Sequence, residues 1–298
     1  QKTKFQMKTA LKNFIKKNNF IYLLFLPFLK IRRLYLKPLD KPFEQIFSNV
    51  KGGNVIVGLN NIHGSFEIDA RSHILKRILL SKEYEPEIVS LILKNINPSH
   101  DAINIGANIG LFTNLIANEI NLNNKVLAIE PTPNAFKLLE ANIEHNSNSI
   151  KTLTYNGIAT DKAGDYKINT IPGNEEYSTI GKMVHQSVKN KMHLSIEVKG
   201  ETIDNLVVRN NLKPGIIVMD VEGAESLVLT GSIETLKKYH PTIITELDDN
   251  LLSQQNFDSN QVIKFLKNLK YKITDSEGNT PNFPFSGNII AKFENQTL

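Results

Sequence analysis

The sequence contains no cysteine among its 298 residues. This absence excludes a disulfide-stabilised scaffold, a cysteine-ligated zinc site, an iron–sulfur cluster and a cysteine nucleophile. The sequence also lacks any run approaching the ~20 consecutive apolar residues that a membrane-spanning helix needs. Hydrophobic residues make up 41% and charged residues 22%. This composition is typical of a globular protein, and the length suffices for one large or two small domains.

Positive charge is concentrated at the start of the chain. Residues 1–50 contain eleven lysines and arginines and two acidic residues, whereas the remainder contains 24 basic and 28 acidic residues. The globular part is therefore slightly acidic, and we expect no nucleic-acid partner. The apolar stretch 20–29 is followed by a basic cluster. Residues 1–50 are predicted either to contact an anionic membrane surface peripherally or to pack on the body with a solvated basic face.

From residue 101 the hydrophobic pattern alternates between short strands and helices, which is typical of a parallel sheet covered on both faces. The predicted strands are 101–105, 125–129, 152–159, 216–219, 242–245, 271–274 and 288–293. The predicted helices are 111–119, 225–230, 232–239, 261–270 and one beginning at Pro133 after an N-cap at Thr132. Residues 161–200 break this rhythm and are predicted to form an insertion that acts as a partial lid.

A glycine-containing turn, Gly106 to Gly110, joins the first of these strands to its helix. Glycines let a ligand approach the backbone closely, and a helix start offers unpaired N–H groups. Glu130 ends the next strand, 20 residues beyond Gly110, where an acid can accept both hydroxyls of a ribose. Together these features predict a site for an adenosyl ligand.

Two cofactor classes fit such a turn. Dinucleotide sites usually carry Gly-x-Gly-x-x-Gly, which places a pyrophosphate on the helix start. Here the central position is Asn108, whose side chain would crowd a pyrophosphate. A cofactor without phosphates, such as S-adenosylmethionine, fits better than a nicotinamide dinucleotide.

Acidic residues follow two later strands. Asp220 and Glu222 come after the strand 216–219, and Glu246 comes after 242–245. Ligands of open parallel sheets bind beyond the carboxyl ends of the strands. Clustered carboxylates raise one another's pKa, so the three predict either a general base or a divalent-metal site. The alternative is helix capping, which is strongest for Glu225.

The segments 103–110 (INIGANIG), 128–131 (AIEP) and 218–225 (VMDVEGAE) together resemble the FkbM family of S-adenosylmethionine-dependent methyltransferases. Further segments stand in the family's order, namely Tyr84-Glu85-Pro86, 202–206, 241–246 and 288–291. The resemblance covers about residue 75 to the end. It implies an α/β class I methyltransferase (Rossmann-like) fold, with a seven-stranded, mostly parallel sheet whose last strand is antiparallel. An N-terminal helical extension would precede it.

The resemblance also implies roles for individual residues. Cofactor binding is expected from Asn104, Gly106, Ala107, Asn108, Gly110, Glu130, Pro131, Asp161 and Asp220. Asp161 would meet the adenine amino group. Asn104 stands where the family usually has Asp. Catalysis is expected from Asp220, Glu222 and Glu246, which are also the candidate metal ligands.

The sequence therefore predicts an S-adenosylmethionine-dependent O-methyltransferase that acts on a hydroxyl of a sugar, glycan or related metabolite. A divalent metal is a candidate second cofactor. Residues 1–60 are assigned to the basic extension and 61–298 to the methyltransferase domain. We expect a cytoplasmic protein with peripheral contact at the inner membrane face. The alternatives are a nicotinamide-dependent oxidoreductase and a non-catalytic, membrane-associated binding protein on a methyltransferase scaffold.

Overall fold

The computed structural model describes residues 52–180 and 192–294. The basic segment 1–50, with its predicted membrane contact, lies outside the described residues. Among the helices of the described part, none is long and apolar enough to cross a membrane. The strands in chain order are β1 (Asn54–Gly58), β2 (Ser65–Asp69), β3 (Asp101–Ile105), β4 (Val126–Ile129), β5 (Thr152–Tyr155), β6 (Ile158–Ala159), β7 (Gly164–Thr170), β8 (Leu194–Glu201), β9 (Pro214–Met219), β10 (Thr242–Asp248), β11 (Tyr271–Asp275) and β12 (Ser286–Phe293). The α-helices are α1 (His73–Ser81), α2 (Pro86–Asn95), α3 (Leu111–Glu119), α4 (Pro133–His145), α5 (Ile203–Arg209), α6 (Glu225–Thr230), α7 (Ile233–Tyr239), α8 (Asp249–Leu252) and α9 (Ser259–Asn268).

Seven strands form the central sheet in the order β11-β12-β10-β9-β3-β4-β5. The five strands from β10 to β5 pair in parallel, whereas β12 runs antiparallel to both of its neighbours. The predicted seven-stranded, mostly parallel sheet with its last strand antiparallel is confirmed. The carboxyl ends of the five parallel strands share one edge, which is where ligands bind in such sheets.

The middle of the sheet is buried on both faces. Every residue of β3 and β4 is buried, as expected for parallel strands covered by helices on both sides. The apolar residues Ile103, Ile105, Leu127 and Ile129 are at most 1% exposed. Each contributes roughly 1.5–3 kcal/mol by burial, so the core holds the strand ends rigidly.

The predicted strand 152–159 is wrong, because two strands in different sheets occupy that range. β5 ends at Tyr155, and the chain then turns at Asn156-Gly157 into β6. A Cβ at Gly157 would lie 2.4 Å from the Lys199 carbonyl oxygen, so only glycine allows this crossing. β6 pairs with β8, and β8 pairs with β7, so the three strands form a second sheet. β7 and most of β8 belong to the predicted insertion 161–200.

The hairpin of β1 and β2 packs on α4. The side chains of Asn142 and Asn146 accept hydrogen bonds from the backbone N–H groups of Glu67 and Ser65, at 2.6 and 3.0 Å. β1 falls within residues 1–60, the range assigned to the extension, and it pairs with β2 along its whole length.

Candidate active site

The turn after β3 is shaped by left-handed backbone. Gly106, Asn108 and Gly110 have φ values of 74°, 48° and 87°. A Cβ at Gly106 would lie 1.8 Å from the carbonyl oxygen of Asp220, and one at Gly110 would lie 2.7 Å from Leu139. Gly106 is therefore required by the close approach of protein backbone, independently of any ligand.

Glu130 follows β4 and is buried, at 4% exposed. Its Oε1 accepts hydrogen bonds from the backbone N–H and the hydroxyl of Thr132, at 2.8 and 2.6 Å. Its Oε2 accepts one from the backbone N–H of Asn108, at 2.9 Å. Burial raises the pKa of Glu130 to about 7, although these hydrogen bonds lower it. Thr132 occupies the predicted N-cap of α4, but its side chain makes no capping hydrogen bond because it serves Glu130 instead.

A first cleft opens between the turn, Glu130 and the three-stranded sheet, with an empty volume of about 890 Å³ including its open side. Its lining includes the predicted site residues Gly106, Ala107, Asn108, Glu130, Pro131, Asp220 and Glu222. Apolar side chains from three strands, Ile105, Ile129 and Ile158, form part of its wall. Its size and mixed lining are typical of small-molecule sites.

Three predicted cofactor residues do not line this cleft. Asn104 is buried in β3, where its Oδ1 accepts a hydrogen bond from the Thr113 hydroxyl at 2.8 Å. Gly110 packs against α4. Asp161 is exposed and accepts a hydrogen bond from the Thr160 hydroxyl at 3.1 Å. Asn104 and Gly110 contact other protein groups and do not face the cleft, so any effect that they have on a ligand is indirect.

A second cleft adjoins the first, with an empty volume of about 1050 Å³ including open space. Asp220 and Glu222 line both clefts, and Glu246 lines the second. Asp220 is held at the sheet edge by its backbone N–H, which donates to the Ile105 carbonyl oxygen at 3.0 Å. Glu222 adopts left-handed backbone with φ 49°. The structure thus brings the three predicted catalytic carboxyl groups to one place.

Burial and repulsion from neighbouring carboxyl groups raise the pKa values of these three acids. Burial raises the pKa of Asp220, and the nearby Glu85 carboxyl adds to the effect. Burial raises the pKa of Glu222 well above its usual range, with repulsion from Asp220 and Glu246 next in size. Burial and then Asp220 raise the pKa of Glu246 to about 7. Among residues 52–180 and 192–294, no three His, Asp or Glu side chains are grouped so as to hold a metal, so the geometry does not support the predicted metal ligands.

Sequence reasoning missed several residues of the second cleft. Tyr84 lines both clefts, as does Glu176 from the inserted segment. Arg77 lines the second cleft and donates to Glu85 at 2.6 Å. In the sequence, Tyr84 and Glu85 stand out only as part of a family segment. No spacing signal links them to Arg77 or Glu176, because these residues lie on separate elements that only the tertiary fold brings together.

A sequence model described as the Methyltransferase FkbM domain matches residues 104–273. The chain belongs to this family. The match runs from β3 into β11, so it includes Glu130, Asp220, Glu222 and Glu246. Membership of this methyltransferase family leaves the oxidoreductase alternative without support.

Individual relatives of this FkbM methyltransferase are distant. Hexuronic acid methyltransferase AglP of Haloferax volcanii is 26% identical over 165 residues, which are 54% of this chain and 61% of that protein. The match therefore spans less than two thirds of the relative's length. The crystal structure of a methyltransferase FkbM from Methylobacillus flagellatus KT is similar at 14% identity and a TM-score of 0.43, covering 66% of this chain and 44% of that one. The Methanococcus jannaschii fibrillarin pre-rRNA processing protein is similar at 14% identity and a TM-score of 0.41, covering 83% of this chain and 87% of that one.

Proposed function

We propose that the protein is an S-adenosylmethionine-dependent O-methyltransferase that methylates a hydroxyl group of a sugar, glycan or related metabolite. One observation carries the proposal. Two clefts of molecular size meet at Asp220 and Glu222, which line both. A methyl donor in the first cleft and an acceptor in the second would therefore meet beside these carboxyl groups. The relative whose name specifies a hexuronic acid substrate supports a sugar acceptor.

The first cleft fits the donor. A carboxylate oxygen accepts about two hydrogen bonds, and Glu130 Oε2 receives one from the Asn108 N–H, so it can accept another from a ribose hydroxyl. Ile129 and Ile158 offer apolar surface for an adenine ring. Asp220 supplies negative charge that suits a cation. When bound, S-adenosylmethionine supplies a methyl group on a positively charged sulfur.

The three predicted catalytic acids, Asp220, Glu222 and Glu246, take different roles because their environments differ. Glu246, with a pKa of about 7, is proposed to accept the proton near neutral pH. Glu222 has the more strongly raised pKa and stays protonated, so it can donate a hydrogen bond to the acceptor. Asp220, at the junction of the clefts, is the anion of the group.

Proton removal before methyl transfer would be costly. An alcohol has a pKa near that of water, ~15.7, so a carboxyl group near 7 still falls short by roughly nine units. We therefore infer that Glu246 takes the proton late, as the oxygen gains the methyl group. Much of the rate would then come from holding donor and acceptor in line within the two clefts.

Calorimetric titration of the whole protein tests the proposal. S-adenosylmethionine, its demethylated product and NAD would be titrated in parallel, with and without magnesium. We expect saturable binding of the first two and none of NAD. Donor binding without methyl transfer to any sugar tested would favour the non-catalytic alternative, and absence of donor binding would overturn the proposal.

A further inference from the structure

We propose that the second cleft selects its acceptor by charge, taking neutral or amine-bearing sugars and rejecting sugars that carry a carboxylate. This inference rests on the proposed function and adds the substrate class. It separates this chain from the Haloferax volcanii relative, whose name specifies a hexuronic acid.

The wall of the second cleft is strongly acidic. Five carboxyl-bearing residues join Asp220 and Glu222 there, namely Glu85, Glu176, Glu225, Glu246 and Asp248. They come from several elements, and Glu246 and Asp248 share β10. Although Glu222 is protonated, a bound carboxylate would face the remaining negative charge of this wall, including that of Asp220, at close range, which is a basis for discrimination.

Arg77 is the one basic residue in this lining as far as the structure describes it. Its guanidinium donates to Glu85 Oε1 at 2.6 Å and also bonds the side chain of Tyr177. Its charge is therefore already offset within the protein. A substrate carboxylate that paired with Arg77 would have to share its charge with Glu85 and would lie close to that carboxylate, so the pairing would be weakened.

Glu225 supplies an independent sign that this cleft takes a polar ligand. It is 3% exposed, and its Oε1 accepts a long hydrogen bond, 3.2 Å, from the Gly223 N–H. Its Oε2 is buried and has no partner among the described residues. An unpaired buried oxygen is costly, so a polar group delivered through the cleft that Glu225 lines would relieve it.

The hydrogen-bonding chemistry agrees with the charge. Sugar hydroxyls and ammonium groups bring donors to the deprotonated carboxyl groups of this wall, whereas a carboxylate brings acceptors alone. The rings of Tyr84 and Phe112, with centroids 5.5 Å apart, form an aromatic part of the same wall. They offer packing surface to a sugar ring without adding charge.

Binding of matched sugars to the full chain, saturated with S-adenosylhomocysteine, tests the inference. The probes are methyl pyranosides in the gluco, galacto and manno series, each as the neutral hexose, the amino sugar and the uronate. Equilibrium binding is followed by calorimetry and by ligand-observed NMR. We expect the uronate to bind about tenfold or more weakly than its neutral counterpart in every series that binds. A uronate that binds as tightly as the neutral sugar, or failure of all nine probes to bind, would overturn the inference.

A variant isolates the role of charge. Glu85→Gln removes one carboxylate and the ion pair that it makes with Arg77. The gap in binding affinity between the uronate and the neutral sugar should therefore narrow. Glu83→Gln, a matched change two residues away that lines neither cleft, should leave the gap unchanged. An unaltered gap in Glu85→Gln contradicts the inference. Methyl transfer that favours uronates would overturn this inference alone, whereas loss of donor binding would overturn the proposed function.

Discussion

The backbone N–H of Asn108 donates to Glu130 Oε2 at 2.9 Å. This bond ties the turn after β3 to the acid after β4, so the two halves of the proposed donor site hold each other in place. Thr132 fixes the other oxygen of the same carboxyl group. Glu130 is thus presented in one orientation before any ligand arrives, which lowers the entropic cost of binding.

Replacing Glu130 should weaken donor binding. In Glu130→Ala the acceptor for the ribose hydroxyls is gone, and hydrogen bonds to charged groups contribute ~1.5–3 kcal/mol. We expect affinity for S-adenosylhomocysteine to fall roughly tenfold to a hundredfold, as measured by calorimetric titration. Glu119→Ala, an exposed change at the end of α3, is the control and should bind normally. Unchanged affinity in a folded Glu130→Ala protein would remove Glu130 from the site.

Gly106→Ala should destabilise the fold itself. The new Cβ would lie 1.8 Å from the Asp220 carbonyl oxygen, and the backbone is left-handed. Gly278 provides a matched control, because its φ is also positive at 89° but a Cβ added there would meet nothing within 4 Å. We expect a loss of about 1 kcal/mol in unfolding free energy for Gly278→Ala and about 3 kcal/mol or more for Gly106→Ala in urea titrations. Equal losses would mean that the strand ends do not approach as described.

Stability should decline as pH rises from about 5 to 7. Burial raises the pKa of both Glu130 and Glu225 to about 7, from an ordinary value of 4.5. In this window the folded state keeps protons that the unfolded state has released, so the free energy of unfolding falls with rising pH. Each group adds a slope of at most ~1.4 kcal/mol per pH unit. Urea denaturation at several pH values measures the slope, and Glu225→Gln should flatten it. A stability that climbs throughout this range would refute the raised pKa values.

The rate should depend on the ionisation of Glu246. As the proposed base has a pKa of about 7, turnover should increase with pH through that value. Glu246→Gln should lower turnover by about 100-fold or more and abolish the rise, while donor affinity stays unchanged because Glu246 lies outside the first cleft. Glu277→Gln, exposed and remote from both clefts, is the control. A Glu246→Gln enzyme with the wild-type pH profile would assign the base to another group.

Local patterns predict most of the central sheet. β3 and α3 begin and end at the predicted residues, because buried apolar runs bounded by a glycine turn leave little freedom. α9 begins two residues earlier than expected, since the Asp258–Gln261 capping box starts the helix at Ser259. Where the chain leaves the sheet at Asn156-Gly157, apolar residues continue on both sides, so the pattern conceals the break.

The donor side of the site is more predictable than the acceptor side. Gly106, Asn108 and Glu130 fall on one strand–turn–helix–strand unit, where spacing along the chain determines spacing in space. Arg77 and Glu176 reach the second cleft from elements about a hundred residues apart. No sequence periodicity indicates that these two residues lie close together, because their proximity depends on the packing of the inserted segment against α1.

Transfer of an isotopically labelled methyl group tests the central claim most directly. The protein would be incubated with S-adenosylmethionine carrying a ¹³C-methyl group and with the neutral and amino sugars described above, and the products examined by NMR. The account predicts a labelled methyl ether on a sugar oxygen, formed by the wild type and lost in Asp220→Asn. No transfer to any sugar, or transfer that persists in Asp220→Asn, would contradict the assignment of the two clefts to donor and acceptor.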